Sequence, residues 1–371
     1  MVDPLIVAKL AEPNRGRPPV VAVAERMLRE GGGFDHVPEP VGDGFDLGVG
    51  AILRRLRIGW HLALVGSPGD KRKAGKGWDR QPAMGSPHYE DRTWTSPDGL
   101  TLHYRDYAGP AGKPPILCIP GLTRNARDFE PVVDSLAGEW RIICAELRGR
   151  GESEYARDSS TYAIPNYVAD IETLLKQAQI ARFVACGTSL GGIITLLLAL
   201  RDPHRIAGAI LNDIGTVVEP AGLARIAEYV GQGRSFPTWM HAARWMRQQN
   251  GKFYPDFDLN QWLQLSKRVM KVASGGRIRF DYDMKIADPI QRADGVSPPP
   301  DLWPGWMALQ DCPALLLRGE LSDILSVPTA EKMVAALPRA ELVTVPRVGH
   351  APVLDEPASQ ESISRLLAKV K

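Results

Sequence analysis

From Tyr89 onward the chain alternates short apolar runs with stretches whose apolar residues recur at helical spacing. The runs DRTWT and LTLHYRDY flank Ser96-Pro97-Asp98-Gly99, a pattern that predicts two strands joined by a tight turn. Further strand candidates lie at 116–119, 141–146, 182–186, 206–212, 314–318 and 341–345. Helical patterns at 129–137, 167–177, 190–200, 329–337 and 360–370 fall between or after them. Apolar strands alternating with helices predict an α/β fold: a mostly parallel sheet covered by helices on both faces.

Two stretches depart from this alternation. Between the sixth and seventh strands of the parallel series, about a hundred residues carry helical pattern without a clear strand, which predicts a helical cap over 219–305 inserted in a core formed by 84–218 and 306–371. This insertion holds nearly half of the chain's aromatics in about a quarter of its length, Trp239, Trp245 and Trp262 among them. Such residues either form the core of a small subdomain or line an apolar pocket over the sheet. The first 83 residues are instead rich in proline-glycine clusters and a basic run, KRKAGKGWDR, and read as a weakly ordered extension. Met84, which begins the patterned text, is one candidate for the native start, and a native extension over 1–83 is the alternative.

Composition narrows the function classes. Apolar residues at 44% and charged residues at 24% are those of an ordinary soluble domain. With 45 Lys and Arg against 43 Asp and Glu, the chain has no cationic surplus for a phosphate backbone, so nucleic acid is not an expected partner. The longest apolar stretch, 193–200, is far short of the roughly 20 residues that span a bilayer. A secretory pattern is also missing from the N-terminus, and no membrane partner is expected. Cys118, Cys144, Cys186 and Cys312 sit in apolar runs without metal-ligand or disulfide spacing, which suits buried thiols in a reducing cytoplasm.

The chemistry concentrates in a few turns. Cys186-Gly187-Thr188-Ser189-Leu190-Gly191-Gly192 places G-x-S-x-G directly after a strand candidate and before a strongly apolar helix. There a serine held on a sharp turn needs small neighbours, which Gly187 and Gly191 supply. A serine hydroxyl needs a base to act as nucleophile, and seven histidines are available. His350, in the loop after the last strand candidate, falls at the same sheet edge as Ser189. His36, His61 and His88 lie in or beside the extension, His103 in the hairpin, His204 in a helix-to-strand turn and His241 in the insertion. A carboxylate should orient the base. Asp323, after the strand at 314–318, is the first candidate, and Asp213, at the end of the strand at 206–212, the second. The backbone N–H groups of Leu190 and of Leu122, which follows Pro120-Gly121, are the candidate donors to an oxyanion.

Five segments stand in the order found in the α/β-hydrolase superfamily: Pro120-Gly121-Leu122, Leu147-Arg148-Gly149-Arg150-Gly151-Glu152-Ser153, the Ser189 turn, Gly319-Glu320-Leu321-Ser322-Asp323 and Gly349-His350-Ala351-Pro352. Over 89–371 the chain resembles the members with a single helical cap. It departs from many of them in having Pro120-Gly121 in place of histidine-glycine, and Glu146 in place of aspartate. The resemblance implies hydrolysis of a carboxylic ester, a lactone, or a carbon–carbon bond beside a ketone in a small molecule, without metal or organic cofactor, through Ser189, His350 and Asp323. Perhydrolysis would use the same residues, and a non-catalytic ligand-binding role on the same fold is the reading from another class.

Overall fold

A computed structural model describes residues 87–292 and 301–371, so the expectation of a separate extension over 1–83 lies outside the described residues. The chain opens with β1 (Glu90–Thr95) and β2 (Thr101–Tyr107), paired antiparallel around the expected turn. Ser96 Oγ accepts the Leu100 N–H there at 2.8 Å. Next come β3 (Ile116–Ile119), α1 (Glu130–Leu136), β4 (Ile142–Ala145), α2 (Ile164–Gln177), β5 (Phe183–Thr188), α3 (Leu190–Arg201) and β6 (Ile206–Asn212). An inserted segment then carries α4 (Pro220–Tyr229), β7 (Ser235–Phe236), α5 (Trp239–Asn250), α6 (Leu259–Val269), β8 (Met270–Val272), β9 (Ile278–Phe280) and α7 (Ala287–Arg292). After it follow α8 (Trp303–Met307), β10 (Ala314–Gly319), α9 (Val327–Ala336), β11 (Ala340–Val345) and α10 (Pro357–Leu367).

The main sheet has eight strands in the order β1-β2-β4-β3-β5-β6-β10-β11, with β2 antiparallel to both neighbours and every pairing from β4 onward parallel. Alternation along its strands divides the core in two. Leu117, Ile119, Ile143 and Ala185 face α2, α3 and α9, while Ile116, Cys118, Ile142 and Cys186 face α1 and α10. Both faces are therefore covered, as the unbroken apolar runs predict. In register, Cys118 lies beside Cys144 on one side and Cys186 on the other, and all four cysteines are buried free thiols.

The inserted segment carries an apolar cluster built around Trp262, Tyr254, Leu265 and Ile278, which Val345, Val348 and Val353 from the end of β11 and the loop after it complete. It is not purely helical as expected. β7, β9 and β8 form a small antiparallel sheet, and with two or three residues each they are too short to show alternation in the sequence. A buried ion pair fastens this segment to the core: Arg127 donates to Asp281 at 2.6 Å, and Lys271 approaches the other carboxylate oxygen at 2.6 Å. The Arg127 guanidinium also donates to the Arg268 carbonyl at 3.1 Å.

The loop after β4 ties the remaining pieces together. Arg148, 1% exposed, makes two hydrogen bonds to Asp170 of α2 and two to Asp98 of the β1–β2 turn. Glu146 is equally buried and accepts from the N–H groups of Ala126 and Glu152 and pairs with His103 Nδ1 at 3.0 Å. The chain bends back over this carboxylate at Gly151, where φ is 57° and a Cβ would lie 2.2 Å from a Glu146 oxygen. Glutamate at 146 is thus accommodated by glycine at 151.

Asp91 accepts at 2.8 Å from the other ring nitrogen, Nε2 of His103. Burial favours the neutral imidazole, but hydrogen bonds and charge from Glu146 and then Asp91 outweigh it and raise the pKa above the ordinary value of 6.5. A raised folded-state pKa means stability that is fully present below the unfolded value and lost as pH rises through the folded one. The melting temperature is therefore expected to fall as pH rises from below 6.5 through the raised value, and His103→Gln should flatten that part of the profile. An unchanged slope in the variant would contradict the assignment.

Candidate functional site

β5 ends at Thr188 and α3 begins at Leu190, so one residue, Ser189, reverses the chain. Its φ of 51° and ψ of −113° lie where a non-glycine residue costs about 1–3 kcal/mol. Closeness of backbone on both sides explains the flanking glycines: a Cβ on Gly187 would sit 2.4 Å from the Gly191 carbonyl oxygen, and one on Gly191 would sit 1.9 Å from that of Ile119. The Ser189 N–H donates to the Asn212 carbonyl at 3.0 Å, pinning the turn to β6. Ser189 Oγ lies 3.0 Å from Nε2 of His350, on the loop after β11.

The carboxylate that meets His350 is Asp213, not Asp323. Asp213 Oδ2 lies 2.8 Å from His350 Nδ1, and the Asp213 side chain is fully buried. As an ionised carboxylate only accepts, the imidazole proton sits on Nδ1, and Nε2 is left to accept from the Ser189 hydroxyl. Asp213 follows β6 directly with φ at 56°, a conformation that aspartate tolerates better than most residues. Its Oδ1 accepts the Gly319 N–H at 2.8 Å, and Oδ2 also accepts from Ser322 Oγ at 2.7 Å.

Asp323 lies four residues beyond the end of β10, and its two carboxylate oxygens accept from Nε and Nη2 of Arg225 on α4. Burial raises its pKa, but Arg225 outweighs burial and holds it below the ordinary carboxylate value. The sequence carries no sign of this pairing, because Arg225 stands 98 residues away in the inserted segment.

The loop after β3 packs against the Ser189 turn. A Cβ on Gly121 would lie 3.7 Å from Ser189 Cβ and 3.6 Å from the Thr188 carbonyl oxygen. Leu122 comes next, and its carbonyl accepts from Nε of the buried Arg150 at 2.9 Å. Leu190 is the first residue of α3, so its N–H is among the helix donors that lack an intrahelical acceptor. The inserted segment grips the His350 loop: Gly349 N–H donates to the Phe253 carbonyl at 2.7 Å, and Tyr254 Oη donates to the Ala351 carbonyl at 2.9 Å. Between them a cavity of about 340 Å³ reaches His350, walled by Trp245, Met246, Phe253, Leu265 and Phe280 on its apolar side. Of the three insertion tryptophans singled out in the sequence, Trp245 lines this cavity, while Trp262 is buried in the insertion core and Trp239 packs against it. Among the described residues no cluster of His, Cys, Asp and Glu is arranged to hold a metal ion.

Comparison with known proteins places this geometry among relatives. The sequence pattern of the alpha/beta hydrolase family matches residues 116–360. A 3-hydroxybutyrate-oligomer hydrolase of Cupriavidus necator is 32% identical over 273 residues, which are 71% of this chain and 92% of that protein. The crystal structure of an alpha/beta hydrolase from Novosphingobium aromaticivorans is 58% identical with a TM-score of 0.73, covering 76% of this chain and 99% of its own. An E-2-(acetamidomethylene)succinate hydrolase, 21% identical with a TM-score of 0.64 over 76% of this chain and 100% of its own, shares the fold.

The two aspartates make opposite predictions. Asp213→Asn is expected to lower kcat for 4-nitrophenyl acetate by about 10⁴-fold, because the amide would favour the wrong imidazole tautomer. Asp323→Asn should stay within about tenfold of the parent, since its carboxylate is hydrogen-bonded to Arg225 and it is Asp213 that bonds His350. Equal losses in steady-state assays of both variants would contradict this assignment.

Proposed function

The chain belongs to the alpha/beta hydrolase family, and we propose that it is a cofactor-independent serine hydrolase that cleaves carboxylic esters through an acyl-enzyme on Ser189. The observation that carries this reading is the unbroken hydrogen-bonded line from Ser189 Oγ through His350 to Asp213, beside a cavity that has an apolar wall and reaches His350. His350 Nε2 takes the hydroxyl proton as Oγ attacks the ester carbonyl carbon. The tetrahedral oxyanion is met by the N–H groups of Leu122 and Leu190, and donors of this kind are each worth on the order of a hundredfold in rate. On collapse, His350 returns the proton to the departing alcohol. Water then repeats the sequence on the acyl-enzyme and releases the acid. Asp213 stays ionised throughout and stabilises the imidazolium between the two proton transfers.

Ester cleavage is favoured over carbon–carbon cleavage by the relative named a 3-hydroxybutyrate-oligomer hydrolase, since oligomers of a hydroxy acid are joined by esters. The inserted segment acts as a cap that selects the substrate, because its residues form most of the cavity wall. No helix among the described residues is long and apolar enough to cross a membrane. We take the site of action to be the cytoplasm, where the four free thiols stay reduced.

A fluorophosphonate probe is expected to label the protein once, at Ser189, and Ser189→Ala should abolish both labelling and turnover of 4-nitrophenyl butyrate. Labelling elsewhere, or turnover that survives the substitution, would overturn the reading. The cap makes a separate prediction. Trp245→Ala should shift the kcat/KM ratio towards bulkier acyl groups, whereas Trp262→Ala should cost about 3–5 kcal/mol of stability and leave that ratio unchanged. Unfolding curves and paired ester assays distinguish the two.

A further inference from the structure

The same cavity that reaches His350 has a charged side. Three cationic residues line it, Arg124, Arg225 and Lys252, against one carboxylate, Glu228. Both arginines are braced from outside the cavity wall. Arg124 Nη1 donates to Asp128 at 2.9 Å, and Arg225 spends Nε and Nη2 on Asp323. A guanidinium carries five N–H donors, so each keeps donors beyond those its aspartate takes. The Arg225 guanidinium also stacks 4.4 Å above the Phe253 ring, and the Lys252 ammonium lies 4.7 Å from the same ring. Braced arginines of fixed orientation, one of them stacked on a ring, suit two-point recognition of a carboxylate better than a mobile surface charge does.

Position links these charges to the chemistry. Gly121 is flanked by both Ser189 and Arg124: a Cβ built on it would lie 3.7 Å from Ser189 Cβ and 3.5 Å from Arg124 Cγ. Arg225 approaches from the opposite element, α4, through Asp323. We propose that the enzyme prefers esters bearing a free carboxylate within a few bonds of the scissile group, and that Arg124 and Arg225 receive that carboxylate. The inference rests on the serine-hydrolase reading above and names the substrate class for it. It also gives Asp323 a task, that of holding Arg225 in place. The relative from Cupriavidus necator is named for oligomers whose chemistry includes such a free acid end.

Two substrate pairs test this, each an acid and its neutral methyl ester: the mono-4-nitrophenyl ester of adipic acid, and the linear dimer of 3-hydroxybutyrate. The acidic member of at least one pair is expected to have a kcat/KM about tenfold or more above its neutral partner. Arg225→Gln and Arg124→Gln should each lower that acid-to-neutral ratio severalfold, with Arg225→Lys retaining more of it than Arg225→Gln. Melting temperatures of the variants separate loss of recognition from loss of fold, and the ratio is internal to each variant. Hydrolysis of the neutral esters without preference for the acids would overturn the inference and leave the hydrolase reading standing. A preference that survives both glutamine variants would overturn it as well. No turnover on any of the four would overturn both.

Discussion

A buried negative charge organises this site. The Asp213 carboxylate is fully shielded from water, and such a charge is tolerated only when hydrogen bonds replace its hydration. Three donors from two segments do so: the Gly319 N–H at the end of β10 and the Ser322 hydroxyl just beyond it, and Nδ1 of His350 on the loop after β11. Because β5, β6, β10 and β11 are parallel neighbours, their ends fall at one sheet edge, and a carboxylate after β6 reaches all three partners without distorting the strands. The imidazole is thereby fixed in position and tautomer, and Ser189 meets it across the β5 turn.

Much of this was legible in the sequence, for identifiable reasons. The buried strands are continuous apolar runs, and the Ser189 turn is bracketed by glycines that backbone contact makes obligatory, so both features are local. His350 could be found by elimination among seven histidines and by topology. The carboxylate could not. Asp213 and Asp323 both follow strands that end at the active edge, and what separates them is the distant Arg225, which turns Asp323 towards the inserted segment. A choice decided by a long-range ion pair leaves no trace in local pattern. The same limit hid the short strands of the insertion and the role of Glu146, whose carboxylate fills the space that glycine leaves at 151.

The insertion is held by directional polar ties as well as apolar ones at the points nearest the chemistry, since Val348 and Val353 of the His350 loop share its apolar cluster. Arg127 with Asp281, Arg225 with Asp323, and the Phe253 and Tyr254 contacts to the His350 loop all join it to the elements that carry the site. Directional bonds of this kind fix the cavity wall relative to Ser189, which apolar packing alone does less selectively. Its buried tryptophan, Trp262, serves the insertion's own core, so its aromatic richness divides between structure and pocket.

The account stands on the bond between Asp213 and the His350 imidazole. Proton NMR of protein labelled with ¹⁵N at histidine observes it directly, through the proton on Nδ1. The structure predicts a strongly downfield, ¹⁵N-coupled imidazole proton, separate from those of His103 on Glu146 and Asp91, that is lost in Asp213→Asn and His350→Gln and kept in Asp323→Asn. A resonance that survives loss of the Asp213 carboxylate and disappears with that of Asp323 would contradict the account.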